Sequence, residues 1–429
     1  MEARRTQAFR DELERGLPDR PFTIAFWDGT ALEATRPGPT LTVRSPRALG
    51  HVLRAPGELG LGRAYVCGEI EVDDLDALVA LLGRWNPPPI GAVTRLRLLL
   101  SAARLAGLRR PAPPAAELRP RGSEHSRNRD AQAVRHHYDV SNDFFALFLD
   151  ESMTYSCALF EDGTETLEEA QAAKLELICR KLELEPGQRF LDIGCGWGSL
   201  PIHAARNHGV SAVGITLSEP QAQLAAARAA DAGVGDRVEI KVMDYRDLGD
   251  ERFDAVASIG MVEHVGVAQI DEYARHVAAA LQPDGRVLNH GIAYVQADPS
   301  GGHVGGDFSN RYVFPDGEVQ NLSHMLGAFE RAGLETLHVE NLHTDYAETL
   351  RHWATRLDEH LDEAEAMAGA ERLRVWRLYL RAARNGFETG QTAVYQMLCT
   401  APLSEPASLQ PTGARHAPAR RRVPAGTPG

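Results

Sequence analysis

The chain has 429 residues, 43% hydrophobic and 24% charged, and a formal net charge of −13. That length exceeds one ordinary core and implies two or three domains, while the acidic balance excludes non-specific nucleic-acid binding as the main task. Cys67, Cys157, Cys179, Cys195 and Cys399 are widely spaced and form no CxxC, which reads as reduced thiols in a cytoplasmic protein, with neither a disulfide framework nor a zinc site.

The N-terminal stretch MEARRTQAFRDELERG is charged and lacks the apolar core of a secretory signal. No apolar run approaches the roughly 18–20 residues of a membrane span. PFTIAFWDGTALEA reads as a strand, an Asp-Gly turn and a second strand, and TLTVRS as a third strand. SPRALGHVLRAP and DDLDALVALLGRW carry helical periodicity. Residues 1–85 are therefore expected to form a small α+β domain. Residues 86–125 read as a Pro/Arg-rich linker, with PPP at 87–89 and PAPPAAELRPRG at 111–122. Between these lies GAVTRLRLLLSAARLAGLRR, where Arg95, Arg97, Arg104, Arg109 and Arg110 interrupt Leu and Ala at helical spacing. Such a helix either lies on an anionic membrane surface or packs as an ordinary surface helix.

From 126 to 400 the pattern alternates. LEEAQAAKLELICRKLEL is a helix, QRFLDIGCGWGSL a strand entering a Gly-rich turn, VSAVGITLS a strand, EPQAQLAAARAADAG a helix and VEIKVMD a strand. FDAVASIG, IDEYARHVAAAL and GRVLNHGIA continue as strand, helix and strand. Strands separated by long helices predict a parallel α/β sheet. The insert AYVQADPSGGHVGGDFSN is expected to be a mobile flap near the substrate entrance. The basic, Pro-rich tail 401–429 is expected to be disordered.

The strongest local signal is Phe190-Leu-Asp-Ile-Gly-Cys-Gly-Trp-Gly198. Asp192 ends an apolar strand, and Gly194, Gly196 and Gly198 turn the chain into a helix, allowing a ligand close to the backbone. The G-x-G-x-G spacing suits a methyl donor without a pyrophosphate. Thr216 stands where many methyltransferases carry a ribose-binding acid. Asp244 either accepts from an adenine amine, with Tyr245 against the ring, or caps the following turn.

HHYDVSNDFFALFLDESMTYSCALF, LDIGCGWGSL, GITLSEPQ, SIGMVEHVG, the NHGI segment, YVFPDGEV, DYAETLRHW and GQTAVYQ follow one another in order. In this series the chain resembles the cyclopropane-fatty-acid synthase family, including the mycolic acid cyclopropane synthases, from about His136 to Gln396. The resemblance implies a Rossmann-like class I S-adenosylmethionine-dependent methyltransferase domain, residues 126–400, behind the N-terminal α+β domain. It implies methyl transfer to the cis double bond of an unsaturated phospholipid acyl chain, deprotonation and ring closure. It also implies a bicarbonate ion as bound base, held by Cys157, Glu263, His290, Ile292 and Tyr346, with Cys157 and Ile292 acting mainly through the backbone. Tyr155, Ser156, Gly194, Gly196, Thr216, Leu217, Gln221 and Tyr245 would surround the methyl donor.

From the residues alone, Glu263 could equally cap a turn, His290 could be a core histidine, and Cys157 a small buried hydrophobe. Tyr138, Phe144, Met261, Tyr312 and Phe314 are candidate acyl-chain contacts, and an aromatic face is also ordinary core. A methylene-branched product and a small-molecule N-methyltransferase are the alternatives. The expected setting is the cytoplasm, peripheral to the inner membrane face, with no nucleic-acid partner; the resemblance is compatible with a homodimer.

Overall fold

The structure is a computed structural model describing residues 2–107, 111–118, 140–296 and 306–402, with positions 122, 125–127, 129, 130, 132, 133, 302 and 303. Tyr138, Arg109, Arg110, most of the tail and the middle of the Gly-rich insert lie outside the described residues. No helix among the described residues is long and apolar enough to cross a membrane. The chain forms two contact units, one from residues 1–148, 298–319 and 350–392, the other from 149–297, 320–349 and 393–429.

In the first unit, β1 (Thr23–Ala25), β2 (Ala31–Leu32), β3 (Thr40–Val43) and β4 (Ile70–Val72) form a sheet in the order β2-β1-β3-β4. The expected Asp-Gly turn joins β1 to β2. Asp28 Oδ1 accepts from the Thr30 amide at 3.0 Å and hydroxyl at 2.7 Å, and Gly29 takes φ +82°, where a side chain would be strained. Helix Glu2–Gly16 buries only a narrow stripe that includes Thr6 and Phe9, against helix Ala92–Ala106. The Pro-rich stretch is tied down: Arg54 Nη1 donates to the Pro111 carbonyl at 2.8 Å, and the Ala116 amide donates to Glu371 at 3.0 Å.

In the second unit, β5 (Arg189–Ile193), β6 (Ser211–Thr216), β7 (Val238–Val242), β8 (Phe253–Ile259) and β9 (Leu281–Tyr294) are parallel, in the order β7-β6-β5-β8-β9. Beside β9 lies the strand Thr392–Thr400, whose other neighbour, Glu335–Asn341, is antiparallel to it. Every residue of β5 after Arg189 is buried, as a strand covered on both faces must be. The chain leaves β5 for β6 and β7, then returns to β8 on the other side. The carboxyl end of β5 is thus the topological switch point, where ligands of such sheets bind. Helix Leu167–Leu182 starts in a capping box, with Thr166 and Glu169 exchanging hydrogen bonds. Gln171, Lys174, Ile178 and Lys181 share its inward face and are all buried.

Candidate active site

The turn after β5 is held by the next strand: the amides of Gly194 and Cys195 both donate to the Ile215 carbonyl, at 2.9 and 3.0 Å. Gly194 sits at φ +83°, and a Cβ there would come within 2.5 Å of Met261 Cγ. Gly196, at φ +53°, differs: a Cβ there would meet nothing within 4 Å, so the backbone faces open space. Asp192 beneath the turn is buried, and its Oδ1 has no partner among the described residues. Burial pushes its carboxyl up to about 7, against the pull of the Lys174 ammonium. Burial likewise holds Lys174 down to about 8.

Lys174 donates to Ser156 Oγ at 2.9 Å, and Gln171 Nε2 to the carbonyls of Thr154 and Ser156 at 3.3 and 2.9 Å. The segment carrying Tyr155 and Ser156 is therefore seated on the inward face of helix Leu167–Leu182. At the end of β6, Thr216 Oγ1 donates to Gln221 Oε1 at 2.8 Å, so these two expected cofactor residues bind one another; Leu217 lies between them in sequence, half-buried. Asp244 caps the short turn Tyr245–Asp247 and pairs bidentately with Arg246, at 2.8 and 2.6 Å. Tyr245 packs edge-on to Tyr273, ring centroids 5.3 Å apart.

The expected base site gathers at the next strand ends. Ile259 of β8 pairs with His290 of β9, and Glu263 follows on the helix Val262–Val265. Glu263 Oε1 accepts from the Ile292 amide at 2.7 Å, which engages the Ile292 N–H; Oε2 is buried without a partner among the described residues. Burial pushes the Glu263 carboxyl up to about 7, with that amide pulling the other way. Cys157 is buried, its thiol 3.1 Å from the Ala158 carbonyl and 3.6 Å from that of Leu342. The Leu342 carbonyl also takes the Tyr346 amide at 3.0 Å, so both residues are anchored at one point.

His290 is buried, and burial together with the Lys174 and Lys181 charges holds its imidazole down to about 3, hence neutral. Its tautomer follows from neighbours that the sequence reading missed. Lys181 Nζ donates to Glu340 at 2.6 Å and to Gln396 Oε1 at 2.7 Å. An ammonium only donates, so it fixes the Gln396 amide. Gln396 Nε2, 3.3 Å from His290 Nδ1, is then the donor in that pair, and the imidazole proton sits on Nε2. That Nε2 is buried and has no partner among the described residues. The available signal was two lysines seven residues apart on the apolar face of one helix.

Of the acyl-chain candidates, only Met261 lies in the second unit. In the first, Phe144 is fully buried among Phe145, Phe148 and Trp376. Tyr312 donates to Glu117 at 3.2 Å, and Phe314 packs on Tyr379.

The family model of mycolic acid cyclopropane synthetase matches residues 125–397. A probable fatty acid methyltransferase of Mycobacterium tuberculosis is 40% identical over 404 residues, covering 91% of this chain and 93% of that one. The cyclopropane-fatty-acyl-phospholipid synthase of Escherichia coli strain K12 is 34% identical over 374 residues, covering 86% and 90%. The crystal structure of a mycolic acid cyclopropane synthase complexed with SAH and CTAB superposes with a TM-score of 0.59 at 31% identity, covering 63% of this chain and 98% of that one. The β5 turn fits S-adenosylmethionine: its glycines leave the backbone open at Gly196, and the buried Asp192 Oδ1 has no partner among the described residues. The chain belongs to the mycolic acid cyclopropane synthetase family and is an S-adenosylmethionine-dependent methyltransferase of class I fold.

Proposed function

We propose that this enzyme methylates the cis double bond of an unsaturated phospholipid acyl chain and closes a cyclopropane ring. The reading rests on one observation: two buried polar atoms, Glu263 Oε2 and His290 Nε2, have no partner among the described residues and stand beside the ends of adjacent parallel strands. Below about pH 7 Glu263 keeps its proton, and His290 carries its own on Nε2. Two buried donors suit a small anion. Bicarbonate bound there, against Glu263, His290, Cys157 and Tyr346, with the Ile292 amide holding Glu263 in place, would supply the base. The bound donor supplies an electrophilic methyl group. The alkene π pair forms the new carbon–carbon bond, and positive charge is left on the acyl chain. Loss of a proton from the new methyl lets that C–H pair close the ring. Burial around Glu263 and His290 keeps out water that would capture the cation. Gly194, Gly196, Asp192, Tyr155, Ser156, Leu217, Tyr245, Asp244 and the Thr216–Gln221 pair are assigned to the donor side.

The same first step ending in loss of a neighbouring chain proton would give a methylene branch. The higher identity to a fatty acid methyltransferase than to a cyclopropane synthase keeps that ending as the second reading.

Access to the lipid is assigned to helix Ala92–Ala106. Val93, Leu96, Leu99 and Leu100 are exposed on it, beside exposed Arg95, Arg97 and Arg104. An apolar strip flanked by arginines suits an anionic membrane surface. Flotation with anionic vesicles tests this: Arg95, Arg97 and Arg104 changed together to Glu should weaken binding, most at low salt, and unchanged flotation would refute the assignment. The reaction itself is tested by incubation with radiolabelled donor and monounsaturated phospholipid vesicles. Label should enter the acyl chains; label appearing only in added amines would overturn the reading.

A further inference from the structure

The fold assembles a second cluster of chemically active side chains that their sequence spacing does not reveal. Glu176 and Cys179 stand one turn apart on helix Leu167–Leu182; His203 and His208 come from helix Ser199–His208. Both histidines aim Nε2 at the same oxygen, Glu176 Oε2, at 3.2 and 3.0 Å. The Cys179 thiol and one ring nitrogen from each histidine all lie within 4.8 Å of one another. Cys179 is fully buried, while the two histidine side chains keep 16% and 17% exposure. The cluster therefore has an inner sulfur and an opening to solvent.

We propose that Cys179, His203, His208 and Glu176 form a transition-metal site whose natural occupant is Zn(II). One thiolate, two imidazoles and one carboxylate are a zinc donor set in number and kind. Tetrahedral zinc, with bonds of about 2.0–2.3 Å, separates neighbouring donors by roughly 3.3–3.8 Å. The carboxylate–imidazole distances, 3.2 and 3.0 Å, are already near that range, and the sulfur lies within 4.8 Å of a ring nitrogen of each histidine. Binding forms the metal–sulfur bond as the Cys179 thiol releases its proton to solvent. Thiolate and carboxylate then neutralise the dication, so the occupied, largely buried site is neutral overall. With Nε2 on the metal, each imidazole proton moves to Nδ1. Asn207 Nδ2 lies 3.1 Å from His203 Nδ1, and a flip of that amide would turn its oxygen to accept the proton. The metal would staple the helix carrying Lys174 and Lys181 to the helix that leads out of the Gly198 turn. The proposal is independent of the lipid reading.

The test uses the full chain, stripped with a chelator and titrated with Zn(II) against a chromophoric competitor, and separately with Co(II). One Zn(II) per chain should bind, and Co(II) should give a thiolate-to-metal charge-transfer band. Cys179→Ser should abolish that band and Cys67→Ser should keep it. His203→Gln with His208→Gln should weaken Zn(II) at least tenfold, as about a tenfold loss follows even from altering outer-sphere groups. Far-ultraviolet dichroism and binding of S-adenosylhomocysteine should stay intact in each variant. Absence of stoichiometric Zn(II) binding overturns the proposal, as does a charge-transfer band that survives Cys179→Ser.

Discussion

Glu263→Gln keeps the shape of the side chain, and the amide oxygen can still accept from the Ile292 N–H. What it removes is an ionisation. The carboxyl is pushed from its ordinary 4.5 to about 7 by burial. Between those values the folded chain holds a proton that the unfolded chain has released. Stability is therefore fully present below pH 4.5 and lost as pH rises through 7. A difference of about 2.5 units, at 1.36 kcal/mol each, is about 3 kcal/mol. Asp192 titrates in the same window, but it is present in both proteins and cancels in their difference. Denaturant unfolding at pH 5 and pH 8 measures that difference. The variant should gain on the wild type by up to about 3 kcal/mol between the two. A stability difference equal at the two pH values would refute the buried, protonated Glu263 on which the anion site rests.

His290→Gln should act with the opposite sign: its folded value of about 3 lies below the ordinary 6.5, so wild-type stability is present above 6.5 and lost as pH falls through 3. The variant should escape an acid loss of up to about 5 kcal/mol, and parallel unfolding curves between pH 7 and 4 would contradict this. Lys181→Met frees the Gln396 amide to turn; nitrogen NMR should then show His290 losing its pure Nε2–H form, with turnover down by up to about a hundredfold, while an unchanged tautomer would refute the relay. Gly194→Ala meets Met261 and left-handed strain of about 1–2 kcal/mol, and should lower stability together with donor affinity. Gly196→Ala, facing open space but at φ +53°, should cost about 1–2 kcal/mol in stability and lose calorimetric binding of S-adenosylhomocysteine; retained binding would place the donor elsewhere.

What was legible in the sequence was whatever depends on local pattern. Alternating strands and helices announced the parallel sheet, and the glycines after Asp192 announced the turn at its switch point. The Asp28-Gly29 hairpin was visible for the same reason. Helix Glu2–Gly16 was not anticipated, because it buries only a thin stripe and otherwise reads as a charged terminus. Lys174 and Lys181 were missed because lysines on a helix ordinarily mark its solvent face; here three-dimensional packing gives them Ser156, Glu340 and Gln396 as partners. The same limit applies to the expected cofactor residues. Spacing could bring Thr216 and Gln221 close, but not reveal that they bond one another, nor that Arg246 occupies both oxygens of Asp244. Aromatic residues posed the reverse difficulty: Phe144 and Tyr312 look alike as lining or core, and their surroundings in the first unit are well packed.

The proposed reaction delivers a methyl group to an alkene and closes it into a ring. Incubation with donor carrying a carbon-13 methyl and a defined monounsaturated phospholipid, followed by NMR of the product, tests it most directly. The label should appear as the ring methylene of a cyclopropane. Label found only in a vinylidene group, or no label in the acyl chain at all, would contradict it.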